Sequence, residues 1–552
     1  VEKNNENFLK VFYKKYILTK KHLILLLSIL VFSLISSILQ ILIPYFLKGI
    51  MDFAIAGKKN LMYNAIWLFG IAWILAVISA YIYGYCMEII KVDIKGVLRK
   101  NLLRKLHTLL YSEVNKHTQG AYLQIILDDV DKIDPLIIDS YLNLGTMGFM
   151  ALGALILMIK MSWILTIVSV LPVPLYMVLM VIYQKKAISL TQKRQRDYQN
   201  VIAFIDESIG NTYIVRNFGI LHQILDLFTT FYNKYVKSYM DLFRVNFFYS
   251  SVLNTFLSIG VQFFIILFGA ILILKGKLTA GIVLSFMIYV EYVRQPLDYI
   301  LRFSTQVEPA KVSLKRIFQI LNRESVYEPK THSLSYLKRL PSDVPAVEIK
   351  NLYFSYENHP VINNLSLTLK QGKWLCIIGE SGRGKSTLLN ILLKHYSVPD
   401  GKVFLLGEDI NKMEVNDILS LITLIEQEPQ FFSSMSIYEN LTLGQDIPWE
   451  KVEEIAAKIG LKNLLNKISK NRKILLKNSG LSGGEKKRLS LLRGMLRNTP
   501  IVIIDEPTAF LDKDNAIRIM SKLKEFLKGK TVIITTHDEK ILKLCDEKIF
   551  IE

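Results

Sequence analysis

The sequence predicts two dissimilar halves: a polytopic α-helical membrane domain with six transmembrane helices and long cytoplasmic helical loops, then an α/β domain organised around a phosphate-binding loop. Three observations predict it. Apolar runs of membrane-spanning length dominate the first half. Basic residues concentrate in alternate connections between those runs. After a stretch at 322–346 that carries Pro329, Pro341 and Pro345 and reads as a linker, short β-type runs ("LCIIG", "IVIID", "TVIITT") alternate with charged helical segments, the pattern of a largely parallel sheet.

The spans are Leu23–Phe46, Ile66–Met87, Leu142–Ile159, Trp163–Tyr183, Ser250–Leu274 and Gly281–Tyr299, each near the roughly 20 residues that a bilayer core requires. Connections after the second and fourth spans are long and basic. The first of these holds Lys91, Lys95, Arg99, Lys100, Arg104 and Lys105; the other holds Lys185, Lys186, Lys193, Arg194 and Arg196. The remaining connections are short and carry few charges, so the positive-inside rule puts both termini and both long loops in the cytoplasm. Residues 1–22 interleave Phe8, Leu9, Phe12 and Tyr16 with lysines, which predicts an amphipathic helix lying on the inner membrane surface. The membrane domain then covers 23–321 and the α/β domain 347–552.

This distribution also explains the composition. Of 552 residues, 51% are hydrophobic, yet the formal net charge is +20. Nucleic-acid binding would gather such charge on a soluble module. Here much of it flanks apolar spans, and no nucleic-acid partner is expected. Cys86, Cys376 and Cys545 lie far apart, with neither metal-ligand spacing nor a disulfide framework, and are expected as buried free thiols. In the sixth span Glu291 and Arg294 stand three residues apart near mid-bilayer, where charges face a cavity or a partner. Two readings stay open for them: a cargo contact or gate, and an internal ion pair that fixes helix packing.

"IIGESGRGKSTLL" fits G-x-x-x-x-G-K-S between a strand-like and a helix-like run. Its glycines let backbone N–H groups point inward at phosphate oxygens. The expected cradle is Gly379, Glu380, Ser381, Gly382, Arg383, Gly384, Lys385, Ser386 and Thr387, with Lys385 neutralising the terminal phosphates and the Ser386 hydroxyl available to Mg²⁺. "IVIIDEPT" ends a buried strand in Asp505, a carboxylate placed for Mg²⁺, and Glu506, placed to polarise a water. His537 ends another apolar strand and can face the γ-phosphate. A second anion-ready feature is Ser482, Gly483 and Gly484 in "LSGGEKKRLS", at the start of a helix.

The order Tyr356, phosphate loop, Gln427, "LSGGE", "DEPT", "LD" and His537 resembles the ATPase domain of ABC transporters, across Val347–Glu552. "LSGG" close upstream of "DEPT" discriminates that family from other P-loop proteins. The membrane half resembles ABC exporters of the six-helix half-transporter type, through "HTQGAYLQIILDDVDKID", "GKLTAGIVLSFMIYVEYVRQPL" and "LKRIFQIL".

The resemblance implies ATP and Mg²⁺. Tyr356 would stack on adenine, and Gln427 would sense Mg²⁺ and water. Glu506 would be the general base and His537 the γ-phosphate switch. Asp512 would lie in the loop that crosses the dimer. It implies a second half-transporter, most simply a second copy, with the "LSGG" of one subunit covering the ATP held by the other. Coupling helices would fall near Thr118–Tyr122 and Asn211–Gly219. The location would be the cytoplasmic membrane and the function ATP-driven export, with a peptide or bacteriocin cargo slightly favoured over a drug or lipid. A membrane-tethered ATPase that regulates without transport is the further alternative.

Against the family pattern, "LLKNSG" is a short lead-in to "LSGG", and Ala509-Phe510-Leu511-Asp512 replaces the usual Ser-Ala-Leu-Asp, which removes a hydroxyl and one possible hydrogen bond across the interface. The short segment before the first span leads to the expectation of no fused peptidase domain. The end at Glu552 leads to the expectation of no C-terminal helical tail.

Overall fold

A computed structural model describes residues 8–551, apart from 116–117, 138, 250–253, 324, 326–343, 357–358, 381, 469–479 and 508–512. The chain forms two compact units. One comprises Val1–Leu103 with Gln119–Asn322, the other Arg104–Thr118 with Arg323–Glu552.

The first unit is built from long helices: α1 (Lys20–Ile55), α2 (Lys59–Thr108), α3 (Asp139–Met161), α4 (Trp163–Val170), α5 (Val173–Gly210), α6 (Thr212–Phe218), α7 (Leu221–Phe247), α8 (Asn254–Leu274) and α9 (Ala280–Leu321). Among the described residues, α1, α2, the Leu142–Met161 part of α3 and the α4–α5 run are long and apolar enough to cross a membrane. The apolar part of α8 is shorter, and α9 carries Glu291, Arg294 and Asp298. The expected fourth span lies within the α4–α5 run, which is interrupted once. Pro172 lacks an N–H and its ring crowds the preceding turn, so α4 ends at Val170 and α5 starts at Val173. The span and the long basic connection after it are one element in α2, whose 50 residues reach about 75 Å at ~1.5 Å per residue.

The core of this unit gathers Ile41, Met150, Ala154, Met158, Leu165, Ile265, Phe286 and Tyr289. Pro44 sits inside α1, where proline disturbs the regular hydrogen-bond ladder. Helix α9 binds the carbonyls around it: the Ser285 hydroxyl donates to Pro44 O at 2.6 Å and the Tyr289 hydroxyl to Ile41 O at 2.9 Å. Their four-residue spacing puts both on one face of α9. At the start of α9, Asp52 accepts from Gly281 N at 3.0 Å and Thr279 Oγ1 at 2.9 Å, a carboxylate lent by another helix to satisfy N-terminal donors. Gly281 is required there, since a Cβ would collide with the backbone carbonyl of Lys48.

Much of the basic character of α2 is balanced within the unit. Lys95 pairs with Asp134 at 2.7 Å and Arg99 with Asp131 at 2.9 Å, joining the helix to the "DDVDKID" segment. Asp129 in that segment is fully buried and accepts from Ser313 Oγ and Arg316 Nη2, both at 2.9 Å.

The N-terminal segment, expected as an amphipathic helix, packs partly on protein. Phe12, Tyr16 and Ile17 are buried in the protein, Phe8 packs on Phe318 with ring centroids 5.8 Å apart, and the Tyr13 hydroxyl donates to Leu136 O at 2.7 Å. Part of its apolar face thus packs on protein, while Val11 and Leu18 stay exposed.

Among the described residues the second unit holds nine strands: β1 (Val347–Tyr356), β2 (His359–Leu369), β3 (Trp374–Ile378), β4 (Val403–Leu405), β5 (Glu408–Asp409), β6 (Ile422–Ile425), β7 (Ile501–Asp505), β8 (Thr531–Thr535) and β9 (Glu547–Phe550). An antiparallel sheet has the order β2-β1-β4-β5, and a parallel sheet the order β6-β7-β8-β3-β9. The near-continuous apolar runs of β3, β7 and β8 are buried on both faces, as parallel strands demand. Helices α10 (Lys385–Leu392), α11 (Ile437–Thr442) and α12 (Gly483–Leu496) belong to this unit.

The cysteine expectation is corrected here. Cys376 and Cys545 form a disulfide across 169 positions, with Cα atoms 5.8 Å apart. The physical reason is topological: β9 pairs in parallel with β3, which brings Cys545, two residues before β9, beside the middle of β3. Cys86 is free and half-buried.

Candidate nucleotide site

The P-loop joins β3 to α10, and its glycines are there for space and for backbone angle. A Cβ at Gly379 would lie 2.7 Å from Ile551 O. Gly384 has φ +91°, and a Cβ there would lie 2.8 Å from Val361 Cγ1. Gly384 is also the N-cap of α10 and supplies no side-chain cap, so the first N–H groups of that helix are offered to a ligand. Lys385 Nζ turns back onto its own loop, donating to Gly379 O at 2.6 Å and Glu380 O at 2.9 Å. Arg383 forms an exposed ion pair with Glu380 at 3.4 Å.

The acids arrive from β7. Asp505, the last residue of that strand, takes the Thr535 hydroxyl of β8 on Oδ1. Glu506 has φ +41°, a left-handed conformation that is strained for a residue with a Cβ. Two bonds hold it so, its N–H reaching Thr535 O and Thr535 Oγ1, each at 3.1 Å. Its side chain is oriented as well: Gln427 Nε2 donates to Glu506 Oε2 at 2.9 Å, and His537 Nδ1 lies 3.8 Å from Glu506 Oε1. His537 is otherwise largely exposed.

These residues line one cavity of about 590 Å³, which brings together Gly379, Glu380, Gly382, Gly384, Lys385, Ser386 and Thr387 with Gln427, Asp505, Glu506 and His537. Tyr356 stands beside it. The Tyr356 hydroxyl lies 3.0 Å from Thr387 Oγ1 on α10, and its ring meets Tyr396 edge-on at 5.3 Å. Burial pushes the Tyr396 hydroxyl up to about 12, with help from its hydrogen bond to Tyr356. Ser381 and Asp512 lie outside the described residues, as do 475–479 of the "LLKNSG" lead-in.

Ser482, Gly483 and Gly484 are not among the residues that line this cavity. Ser482 closes a capping box with Glu485, accepting from Glu485 N at 3.3 Å while Glu485 Oε2 accepts from Ser482 N at 2.8 Å. The capping box thereby ties down the start of α12.

Sequence reasoning missed two residues. Thr535 fixes both acids, and Lys487 is fully buried, with Nζ donating to Glu426 O at 2.7 Å and to Gln427 O and Asp505 O at 3.2 Å each. Burial pushes the Lys487 ammonium down to about 8, against the pull of Asp505, Glu506 and Glu426. Helical periodicity could have flagged it, because Lys487 shares a face with buried Leu491 and Met495.

In the membrane half, Arg294 bridges Glu291 at 2.7 Å and Asp298 at 3.0 Å, and Ser258 Oγ donates to Glu291 Oε1 at 3.1 Å. The trio is one positive and two negative groups beside a small cavity of about 40 Å³ lined also by Ser169, Pro172 and Val261. The expected coupling region at 211–219 contains α6, ended by Gly219 at φ +64°, with Tyr213 and Phe218 exposed.

A P-loop ATPase unit in the same chain as a unit of long apolar helices defines a transport ATPase. Residues 25–297 match the family model for the ABC transporter transmembrane region, and residues 362–509 the family model described as ABC transporter. Together these cover well over half of the chain, which belongs to the ABC transporters as an exporter-type half-transporter that couples ATP hydrolysis to transport.

The chain is 26% identical to an export ATP-binding/permease protein of Rickettsia bellii, over 98% of this chain and 92% of that one. It is 24% identical to an ATP-dependent lipid A-core flippase of Syntrophus aciditrophicus, over 83% and 76% respectively. It is 26% identical to a multidrug resistance-like ATP-binding protein of Buchnera aphidicola, over 92% and 89%.

Proposed function

We propose that two copies of this chain form a homodimeric exporter in the cytoplasmic membrane, with the ATPase domains and termini on the cytoplasmic side. ATP held by the P-loop of one copy is closed over by Ser482–Gly484 of the other. The observation that carries this reading is an asymmetry. Gln427, Asp505, Glu506 and His537 line one cavity with the P-loop, while an equally anion-ready helix start in the same chain does not.

Within that site Lys385 leaves its own carbonyls for the terminal phosphates, and Tyr356 stacks on the base. Ser386, Asp505 and Gln427 would hold Mg²⁺: all three present oxygen donors to the one cavity, the donor set that a hard cation takes. The ion supplies neutralisation of phosphate charge when bound. Glu506 receives the proton of the attacking water, held in aim by Gln427 and by its two backbone bonds to Thr535. His537 reaches from the Glu506 side toward the γ-phosphate. Asp512 and Ser381 keep the roles that the family pattern assigns them, and α6 serves as a coupling helix.

The cargo is an amphipathic lipid or drug-like molecule. The names of the flippase and multidrug-like relatives support this over a peptide. The Glu291–Arg294–Asp298 trio is its polar contact.

The test is Glu506→Gln. The variant should bind ATP, lose at least about a hundredfold in hydrolysis, and accumulate as an ATP-dependent closed dimer. It should also fail to move labelled amphiphile into inverted vesicles that the parent protein fills. Near-parental turnover removes Glu506 as the base. Robust ATPase activity without uptake of any lipid, drug or peptide favours the tethered regulator.

A further inference from the structure

The ladder between β6 and β7 runs through Ile425 opposite Ile504 and then stops. At the next step Glu426 and Asp505 face a partner from outside the sheet. Both carbonyls accept from the Lys487 ammonium, at 2.7 and 3.2 Å, and the third acceptor is Gln427 O at 3.2 Å. One step further, the Gln427 side chain bonds Glu506 at 2.9 Å. Lysine therefore stands where the two strands part, just below the pair that handles water.

An ammonium has three donors and no acceptor, and three carbonyls satisfy it fully. A buried charge is tolerated only when its bonds are complete, so the three acceptors and the cation hold one another in place. Lys487 lies on α12 five positions after Ser482, about 7.5 Å along the axis at ~1.5 Å per residue. The capping box fixes that helix start, so a displacement of Ser482–Gly484 moves Lys487 with it.

We infer that Lys487 is a positioning residue: it ties the Gln427 loop and the Asp505 strand end to the signature helix, so that engagement of Ser482–Gly484 with the partner's ATP sets the Gln427–Glu506 geometry in the chain's own site. The cross-site part of this rests on the shared-site reading proposed above. The local part, control of Gln427 and Asp505 by Lys487, rests on the chain's own contacts.

The test uses full-length protein in lipid with Lys487→Met, which keeps the stem and removes every donor, and Lys487→Gln, which keeps two donors. Expected are a KM for ATP within about twofold of the parent and a kcat lowered about tenfold or more in K487M. K487Q should fall between, both variants should melt near the parental temperature, and the Hill coefficient for ATP should drop toward one. Parental kcat in both variants overturns the inference. So does a joint fall of kcat, ATP affinity and melting temperature, which marks a merely structural lysine. If K487M does not fold, K487Q decides by the same split. Absence of ATP-induced closure in E506Q would count against the shared-site reading alone, while the kcat-against-KM split judges Lys487 in either case.

Discussion

Arg316 and Asp129 should not be equivalent partners, although they form one ion pair. Asp129 is fully buried, with Ser313 and Arg316 on Oδ1 and no partner for Oδ2 among the described residues. The side chain of Arg316 is 40% exposed and can turn to water when released. Arg316→Ala therefore leaves a carboxylate buried against a single hydroxyl, which costs about 3–5 kcal/mol. Asp129→Asn keeps the volume and the Ser313 contact and loses one charged hydrogen bond, about 2 kcal/mol. The double variant Asp129→Asn, Arg316→Met removes both charges and should be more stable than Arg316→Ala alone. Thermal unfolding of the detergent-purified protein ranks the three. If Arg316→Ala melts no lower than Asp129→Asn, or if the double variant is the least stable, the asymmetric-burial reasoning is wrong.

Two further outcomes are expected. Gly384→Ala combines a left-handed backbone with a Cβ contact 2.8 Å from Val361 Cγ1. Strain and crowding together cost about 2–4 kcal/mol, so equilibrium ATP binding should be lost; binding at parental affinity would count against the close approach. His395 is packed under Tyr111, with ring centroids 5.1 Å apart, and burial holds its imidazole below the ordinary value of 6.5. The unfolded chain then binds the proton more readily than the folded one. The stabilisation is full above 6.5 and is lost as pH falls below it. Melting temperature against pH should flatten in that window for His395→Phe, and an unchanged slope would assign the effect elsewhere.

Local features carried much of this protein in the sequence. The runs that became α1, α2 and α3 are apolar over bilayer length, and "IIGESGRGKS" specifies by its own glycines a loop that no larger residue could trace. The buried strands of the parallel sheet were legible because both faces must be apolar. Where sequence reasoning went astray, long-range partners decided. Lysines beside Phe12 and Tyr16 suggested a lipid surface; in the fold Phe8 and Tyr16 meet Phe318, more than 300 positions away. Cys376 and Cys545 looked like isolated thiols until strand order made them neighbours.

The same division runs through the site. Sequence by itself determined which residue types could bind phosphate and aim a water, because P-loop, acid pair and signature are contiguous motifs whose chemistry is local. Tertiary structure alone decided what holds them: Thr535 on both acids, Gln427 on Glu506, and a buried Lys487 at the point where β6 and β7 part. It also decided that Ser482–Gly484 does not line the cavity of its own chain's P-loop. The physical reason is the same in each case. A motif's spacing is fixed by covalent geometry, whereas hydrogen bonds between strands 30 to 80 positions apart depend on a sheet order that no window of sequence contains.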